Sequence, residues 1–450
     1  MSFFIKGKQV NGIKRVKQST EKRKKPKVIK NVKNDEVTSS EDEGAAENEA
    51  ADLSSEDENE TAQEKKLRLA KVYLEEIEKE EKARLESEEV DQSLISKRLK
   101  EDYLKEAGKL RLTVADKFKN VDTNNIKILK CREQTNSITC MCITSDDKYV
   151  FVGSKNGVVI KYSIHENKKV GSIPFVKDSS DVVGHSSQIL SVAVSTDNKY
   201  LTTSDESSDI FIWDLSTLKF IKKLTGHKKG IFGLCFKKDS HTLYSCSKDR
   251  SVKVWNLDEM AYVETLFGHQ GVVTSIDTLY RDRVVTSGGR DLRIWKITEE
   301  TQLIFNGHVG NIDNVKLINE ENFISGGDDG QLCVWSIMRK KPLCVIQNAH
   351  GVSSINQQPN WISSIAPLLN TDLVASGSND GFVKLWKLEN NFKFASPLMK
   401  IPVEGFINSL GFTSDGSKLI VAVSKEHKLG RWTTIKSVKN CIMVIPFIKD

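Results

Sequence analysis

Residues 226–255 read GHKKGIFGLCFKKDSHTLYSCSKDRSVKVW, and their order sets the architecture. A Gly-His pair opens the stretch, and an apolar run (Ile231–Phe236) follows. After a charged turn comes a second run (Thr242–Ser247), then a Lys-Asp-Arg turn and a third run that closes on Trp255. Short runs rich in β-branched and aromatic residues, bounded by turn residues, are the pattern of consecutive antiparallel strands. One such unit is too small to bury its own apolar face, so it must stack on copies of itself.

Copies are present. Gly184-His185, Gly226-His227, Gly268-His269, Gly307-His308 and Ala349-His350 recur at intervals of 42, 42, 39 and 42 residues, and the runs after them end on aromatics at Trp213, Trp255, Trp295, Trp335, Trp386 and Trp432. A further unit upstream, Ser137–Ile143, Lys148–Gly153 and Val158–Tyr162, lacks the Gly-His pair and carries Tyr162 in the tryptophan place. This is the period of WD40 repeats, and it predicts an all-β fold, a seven-bladed WD40 β-propeller over residues 121–450. Both Ile126–Leu129 and Cys441–Ile445 read as outer strands for the last blade, and the sequence leaves the choice between them open.

The polar residues of the repeat have a structural reading, since buried polar groups must find partners. Histidine, a strand hydroxyl, the turn aspartate and the tryptophan can form one hydrogen-bonded chain across a blade. The set is complete in His227, Ser247, Asp249 and Trp255, and again in His350, Ser378, Asp380 and Trp386. In the blade of Trp335, Gly327 replaces the serine. In that of Trp295, Asp291 stands only four residues before the tryptophan, and in that of Trp213 the aspartate slot holds Ser207. These three blades are expected to be pinned by packing instead. Recurrence from blade to blade argues against a catalytic triad, which a protein needs once.

Ahead of the propeller the charge is segregated, although the net value is only +6. Residues 1–33 hold twelve Lys or Arg and one acid, Glu21, whereas residues 34–60 hold twelve acids and no Lys or Arg. Such blocks repel internally and stay solvated, so residues 1–61 are expected to be a disordered tail, basic and then acidic. Within it Lys22, Arg23, Lys24, Lys25 and Lys27 fit a nuclear localisation signal read by an acidic import carrier, although basic runs also contact RNA nonspecifically. Ser39, Ser40, Ser54 and Ser55 precede acids and are candidate phosphorylation sites for acid-directed kinases. Residues 62–120 read as a charged helical segment. One helix runs to about residue 90, with Leu67, Ala70, Leu74 and Ile77 on one stripe, and a second lies near Leu94–Leu112. Too few apolar residues lie here for a separate core. The segment packs on the propeller, awaits a partner, or acts as a spacer.

Eight cysteines, without a CxxC pair or nearby histidines at ligand spacing, exclude a zinc site. Most lie in strand-like apolar runs, the pattern of reduced, buried thiols in an intracellular protein. The longest apolar stretch, Ile442–Ile448, is far too short for a bilayer span, and the N-terminus lacks an apolar signal core. The chain is therefore expected to be soluble, without membrane contact. No phosphate cradle, metal-ligand cluster or nucleophile elbow occurs, so the sequence offers no catalytic residue, cofactor, metal or small-molecule substrate.

The Gly-His loops and the aspartate turns project from one end of a propeller. There Lys155, Lys228, Lys229, Lys248, Arg250, Arg290, Lys425, His427 and Lys428 predict a cationic sector, while Glu206, Asp328, Asp329 and Asp380 are acidic. Clustered cations on rigid loops suit RNA phosphates; simple solvation is the plain alternative.

Beyond the repeat consensus, Lys66–Glu75 (KLRLAKVYLE), Arg98–Asp102 (RLKED), Asp249–Asn256 (DRSVKVWN), Tyr262–Gln270 (YVETLFGHQ), Trp361–Ile365 (WISSI), Leu369–Ala375 (LNTDLVA), Gly405–Leu410 (GFINSL) and Glu426–Trp432 (EHKLGRW) closely resemble the WD-repeat U3 small nucleolar RNA-interacting proteins. The likeness covers about residues 62–448. It implies a subunit of the box C/D U3 small nucleolar ribonucleoprotein in the nucleolus, whose propeller binds the box B/C region of U3 RNA. The implied neighbours are a small kink-turn-binding protein and other proteins of that particle and of the small-subunit processome. The implied role is support of early pre-rRNA cleavages toward 18S rRNA in ribosome biogenesis. Arg250, Lys428 and Arg431, helped by Lys155, Lys248, Arg290 and His427, are the expected RNA- or partner-contacting residues; Arg431, beside Trp432, also reads as a blade-stabilising residue. The turn between Gly289 and Trp295, which carries Arg290, is shorter than its counterparts and departs from the family pattern. A nuclear WD40 adaptor that recognises protein tails is the alternative reading.

Overall fold

The computed structural model describes residues 62–85, 92–106, 108–122, 125–130, 132–133, 135–176, 183–353, 357–430 and 432–449. The import signal, the candidate phosphoserines and Arg431 lie outside the described residues.

Seven four-stranded antiparallel blades stand around a central axis. Blade three shows the plan: Ile231–Phe236 is innermost, followed outward by Thr242–Ser247, Ser251–Asn256 and Ala261–Phe267. Blades one to six span residues 138–173, 189–224, 231–267, 273–306, 312–346 and 364–402, each with its strands in chain order. The inner strands of neighbouring blades touch all the way round, blade seven against blade one included.

Burial follows from this stacking. The middle strands lie between two neighbouring blades and are buried on both faces, so burial runs continuously along them instead of alternating, in the mostly polar Tyr200–Asp205 as in the apolar Leu332–Ser336. Outer strands meet solvent: Phe220–Leu224 is exposed along most of its length and carries Lys222 and Lys223, charges that blunt an open sheet edge. The apolar clusters are shared between adjacent blades. One joins Leu234, Phe236, Leu243 and Trp255 of blade three to Ala193 and Ile212 of blade two.

Ring closure differs from the expected choice between two segments, because both take part. In blade seven, Phe406–Phe412 and Lys418–Ser424 are followed by Cys441–Lys449 as the third strand, and the fourth place is filled from the start of the propeller. Phe118–Val121 pairs with it at Phe118↔Lys449 and Val121↔Phe447, and Lys127–Leu129 pairs at Lys127↔Val444 and Leu129↔Ile442. Propeller structure therefore starts at Phe118, inside the segment read as helical. The register also reassigns the seventh tryptophan. Trp255 pairs with Leu243, and the equivalent pair in blade seven is Leu419↔Ile445. Ile445 thus fills the repeat position, whereas Trp432 lies in the loop after Ser424 and is 62% exposed.

Upstream are helices Ala62–Leu85 and Gln92–Glu106. Between the second helix and Phe118 the chain forms a strap across the end of the propeller opposite the Gly-His loops. Arg111 ion-pairs with Glu321 and stacks over Phe392, the Leu112 N–H donates to Asn370 O at 2.8 Å, and the Val114 and Ala115 N–H groups both donate to Asp372 Oδ1. Ala115 and Phe118 enter the apolar cluster between blades six and seven.

Candidate nucleic-acid interface

Hydrogen-bonded ties fix the top end, where the Gly-His loops and the turns between second and third strands lie. In blade three His227 Nδ1 is 2.9 Å from Asp249 Oδ2, His227 Nε2 is 2.8 Å from Ser245 Oγ, and Trp255 Nε1–H donates to the same Oγ at 2.8 Å. The tie hydroxyl is therefore Ser245, not Ser247, whose hydroxyl instead donates to the carbonyls of Lys229 and Gly230. Blade six makes the same correction: His350 and Trp386 meet on Ser376, not Ser378, with Asp380 2.9 Å from His350. Residues two apart on a strand share a face, so alternation alone could not choose between them.

Two blades expected to lack ties have them. In blade five His308 and Trp335 share Ser325, and Asp329 completes the chain. Gly327 stands at the place of Ser247, where an added Cβ would strike the carbonyl oxygen of Asn311. In blade two His185 lies 3.0 Å from Asp205 and shares Thr203 with Trp213. The missed signal is a spacing: the hydroxyl stands ten residues before the tryptophan in all four blades. In blade four, one residue shorter, Thr286 stands nine before Trp295 and bonds it and His269. There Asp291 is turned to Arg293 Nε (2.8 Å), remains 3.6 Å from His269 Nδ1, and leaves that nitrogen without a partner among the described residues.

These contacts set the charge of the turn aspartates. Burial alone raises the Asp249 carboxyl, but hydrogen bonds from His227, Ser251 and the Lys228 N–H outweigh it and hold the group well below the ordinary carboxylate range. Asp329 and Asp380 are lowered in the same way. The acidic residues of the top end are thus largely engaged with their own loops: Asp249, Asp329 and Asp380 in ties, and Asp328 with the N–H and amide of Asn311.

The proposed cations divide into two groups. Lys155 Nζ donates to His427 O at 2.7 Å and ion-pairs with Glu426, and its side chain is 9% exposed. Lys428 Nζ donates to Ser363 O at 3.2 Å and Asn314 Oδ1 at 3.4 Å, beside a central cavity of about 470 Å³ that Asp313 and Lys316 also line. Burial lowers its pKa, and burial raises that of Asp313 to about 6. His427 is buried, and desolvation with the charges of Lys428 and Lys155 depresses it to about 3. Lys155, Lys428 and His427 are therefore held by groups of the top end itself. Lys228, Lys229, Lys248 and Arg250 of blade three and Arg290 of blade four are exposed, and none makes an ion pair among the described residues. The cationic sector is an arc over blades three and four.

Sequence reasoning missed an apolar member of this arc. Phe267, at the end of the outer strand of blade three, is 74% exposed, and its backbone pairs with Ser251, next to Arg250. An exposed aromatic among unpaired cations offers a stacking surface beside phosphate contacts. Among the described residues, no group of three or more His, Cys, Asp or Glu is placed to hold a metal ion.

The fold and the repeated ties define a WD40-repeat β-propeller protein. The WD domain, G-beta repeat model matches residues 124–163, 177–214, 218–256, 299–336 and 343–387, leaving unmatched the stretch with the shortened turn. The chain is 44% identical over 393 residues to the U3 small nucleolar RNA-interacting protein 2 of mouse and of human, covering 86% of this chain and 82% of each relative. It is 26% identical to ribosomal RNA-processing protein 9 of Saccharomyces cerevisiae, covering 86% of this chain and 89% of that one. Solved structures of U3-55K and of the RRP9 WD40 repeats superpose with TM-scores of 0.70 at 44% identity, covering 73% of this chain and all of theirs. The chain belongs to the U3 small nucleolar RNA-interacting protein 2 family, WD-repeat proteins associated with the U3 small nucleolar ribonucleoprotein.

Proposed function

We propose that this chain is a non-catalytic RNA- and protein-binding subunit of the U3 small nucleolar ribonucleoprotein, and that Lys228, Lys229, Lys248, Arg250 and Arg290 hold the box B/C region of U3 RNA. The carrying observation is the arc itself: five exposed cations without ion pairs among the described residues, the four of blade three on loops held by the His227–Asp249 tie, in a chain whose relatives are named for U3 RNA. Rigid placement lets several cations reach neighbouring phosphates with little ordering cost. On this reading the particle includes a kink-turn-binding protein, acts in the nucleolus on early pre-rRNA cleavages toward 18S rRNA, and receives this subunit through an import carrier that reads Lys22–Lys27.

The test is charge reversal at Lys248 and Arg250, which are exposed and outside the core. The double variant K248E/R250E is expected to fold normally and to lose most of its U3 RNA when the tagged protein is recovered from cells. Unchanged U3 recovery would remove the arc from the interface, and loss of a protein partner alone would favour the adaptor reading.

A further inference from the structure

A second feature of the top end is not absorbed by the cationic arc. Between blades six and seven lies a cavity of about 1060 Å³, lined by Trp361, Trp432, His427, Phe382, Phe406 and Asn379 among others. Trp361 and Trp432 meet edge to face with centroids 5.3 Å apart, and His427 lies 5.6 Å from the first ring and 5.5 Å from the second. Trp432 is largely exposed, yet it sits in no strand and has no place in a blade core.

His427 gives the cavity its chemistry. The Leu429 N–H donates to Nδ1 at 3.3 Å, so Nδ1 is the acceptor of the ring. A buried imidazole between Lys155 and Lys428 stays uncharged, and its single proton then sits on Nε2. That Nε2–H is buried and has no partner among the described residues, although the residue is only 3% exposed. Orphaned buried donors are rare in folded proteins and call for an explanation. At the rim stand Lys400 and the amide of Asn379, both exposed, and Lys436, also exposed, follows the lining residue Ile435 in the chain.

We propose that this cavity receives one unstacked nucleobase of the bound RNA, stacked against Trp432, with a base carbonyl oxygen or ring nitrogen accepting from His427 Nε2–H. Lys400 and Lys436 then meet the flanking phosphates. Every base has a π-face and an acceptor on its edge, so an aromatic platform with one fixed donor takes a base without a charge match. A peptide carbonyl would satisfy the donor but leaves the lysine rim without a role. The inference rests on the RNA-binding reading above: the arc of blades three and four holds phosphates, and the cavity holds a base.

The test uses the full chain and transcribed U3 RNA in an equilibrium titration, with W432A, H427F and the K248E/R250E variant in parallel. Trp432 is outside the core, so W432A is expected to melt as wild type; His427→Phe keeps a ring in place and removes the orphaned donor but also the acceptor of the Leu429 N–H, so its melting is measured beside its binding and W432A carries the test if H427F melts lower. W432A is expected to weaken RNA binding about tenfold, the scale of one lost base–aromatic contact, and H427F about fivefold, the scale of one lost hydrogen bond, with the salt dependence unchanged because no cation is lost. If either binds as tightly as wild type while K248E/R250E binds weakly, the base cavity is overturned and the RNA reading stands. If wild type itself fails to bind U3 RNA, the RNA reading falls and the cavity with it. Photo-crosslinking of 4-thiouridine-substituted U3 RNA to the peptide containing Trp432 is the supporting result; crosslinks confined to peptides of blades three and four overturn the proposal.

Discussion

Ser245 and Ser247 are two residues apart, share a strand face, and differ in what they hold. The Ser245 hydroxyl joins His227 to Trp255, while the Ser247 hydroxyl donates to the carbonyls of Lys229 and Gly230 and accepts from the Asp249 N–H. Ser245→Ala leaves a buried imidazole nitrogen and a buried indole N–H without partners, a loss of about 2–4 kcal/mol, whereas Ser247→Ala removes the bond donated to carbonyls and the one accepted from the part-buried Asp249 N–H, about 1–2 kcal/mol. Thermal unfolding should rank Ser245→Ala clearly below Ser247→Ala; the reverse order would mean that the tie runs through Ser247 after all. The residue types of the tie were legible because they recur with the repeat. Depth along the strand was not, since period two leaves equivalent positions above and below each other. Asp205 escaped for a related reason: it replaces the turn aspartate from two residues earlier, and only the contact with His185 identifies it.

Strand content was readable because each blade repeats its own punctuation, down to Tyr162 standing in for tryptophan opposite Val150. Blade seven was the exception. Its third strand, Cys441–Lys449, comes after a long loop that carries a decoy tryptophan, and its fourth place is filled from the far end of the repeat region. Nothing local in the sequence signals such a pairing, because its partners are separated by more than 300 positions. The structure makes the closing segment a major contributor to stability. Phe118 is buried, packs edge to face on Phe447 at 5.2 Å, and belongs to the cluster of blades six and seven. Phe118→Ala is expected to cost about 3–5 kcal/mol in denaturant unfolding. A cost below 1 kcal/mol would show that blade seven holds together without its N-terminal strand.

Across the whole molecule, the repeat that reveals the fold is mute about function, since tie residues are spent on architecture. On the proposed reading, function rests on what the repeat leaves over: cations without an ion pair among the described residues, an exposed Phe267, and a loop that places Trp432 beside His427. Charge counting along the sequence placed Lys155 and Lys428 with Arg250 because it could not see that neighbouring blades supply carbonyl oxygens to the first two. Three-dimensional pairing narrows the sector to blades three and four.

The central claim is that this arc holds RNA phosphates, and the salt dependence of binding measures that directly. The dissociation constant of the full chain for U3 RNA should be followed from about 50 to 200 mM salt for wild type and K248E/R250E. Each phosphate contact contributes about 0.7–0.9 to the slope of log affinity against log salt, so the variant, which loses two, is expected to bind more weakly with a slope shallower by about 1.4–1.8. Parallel lines, with the same slope for both proteins, would contradict the account.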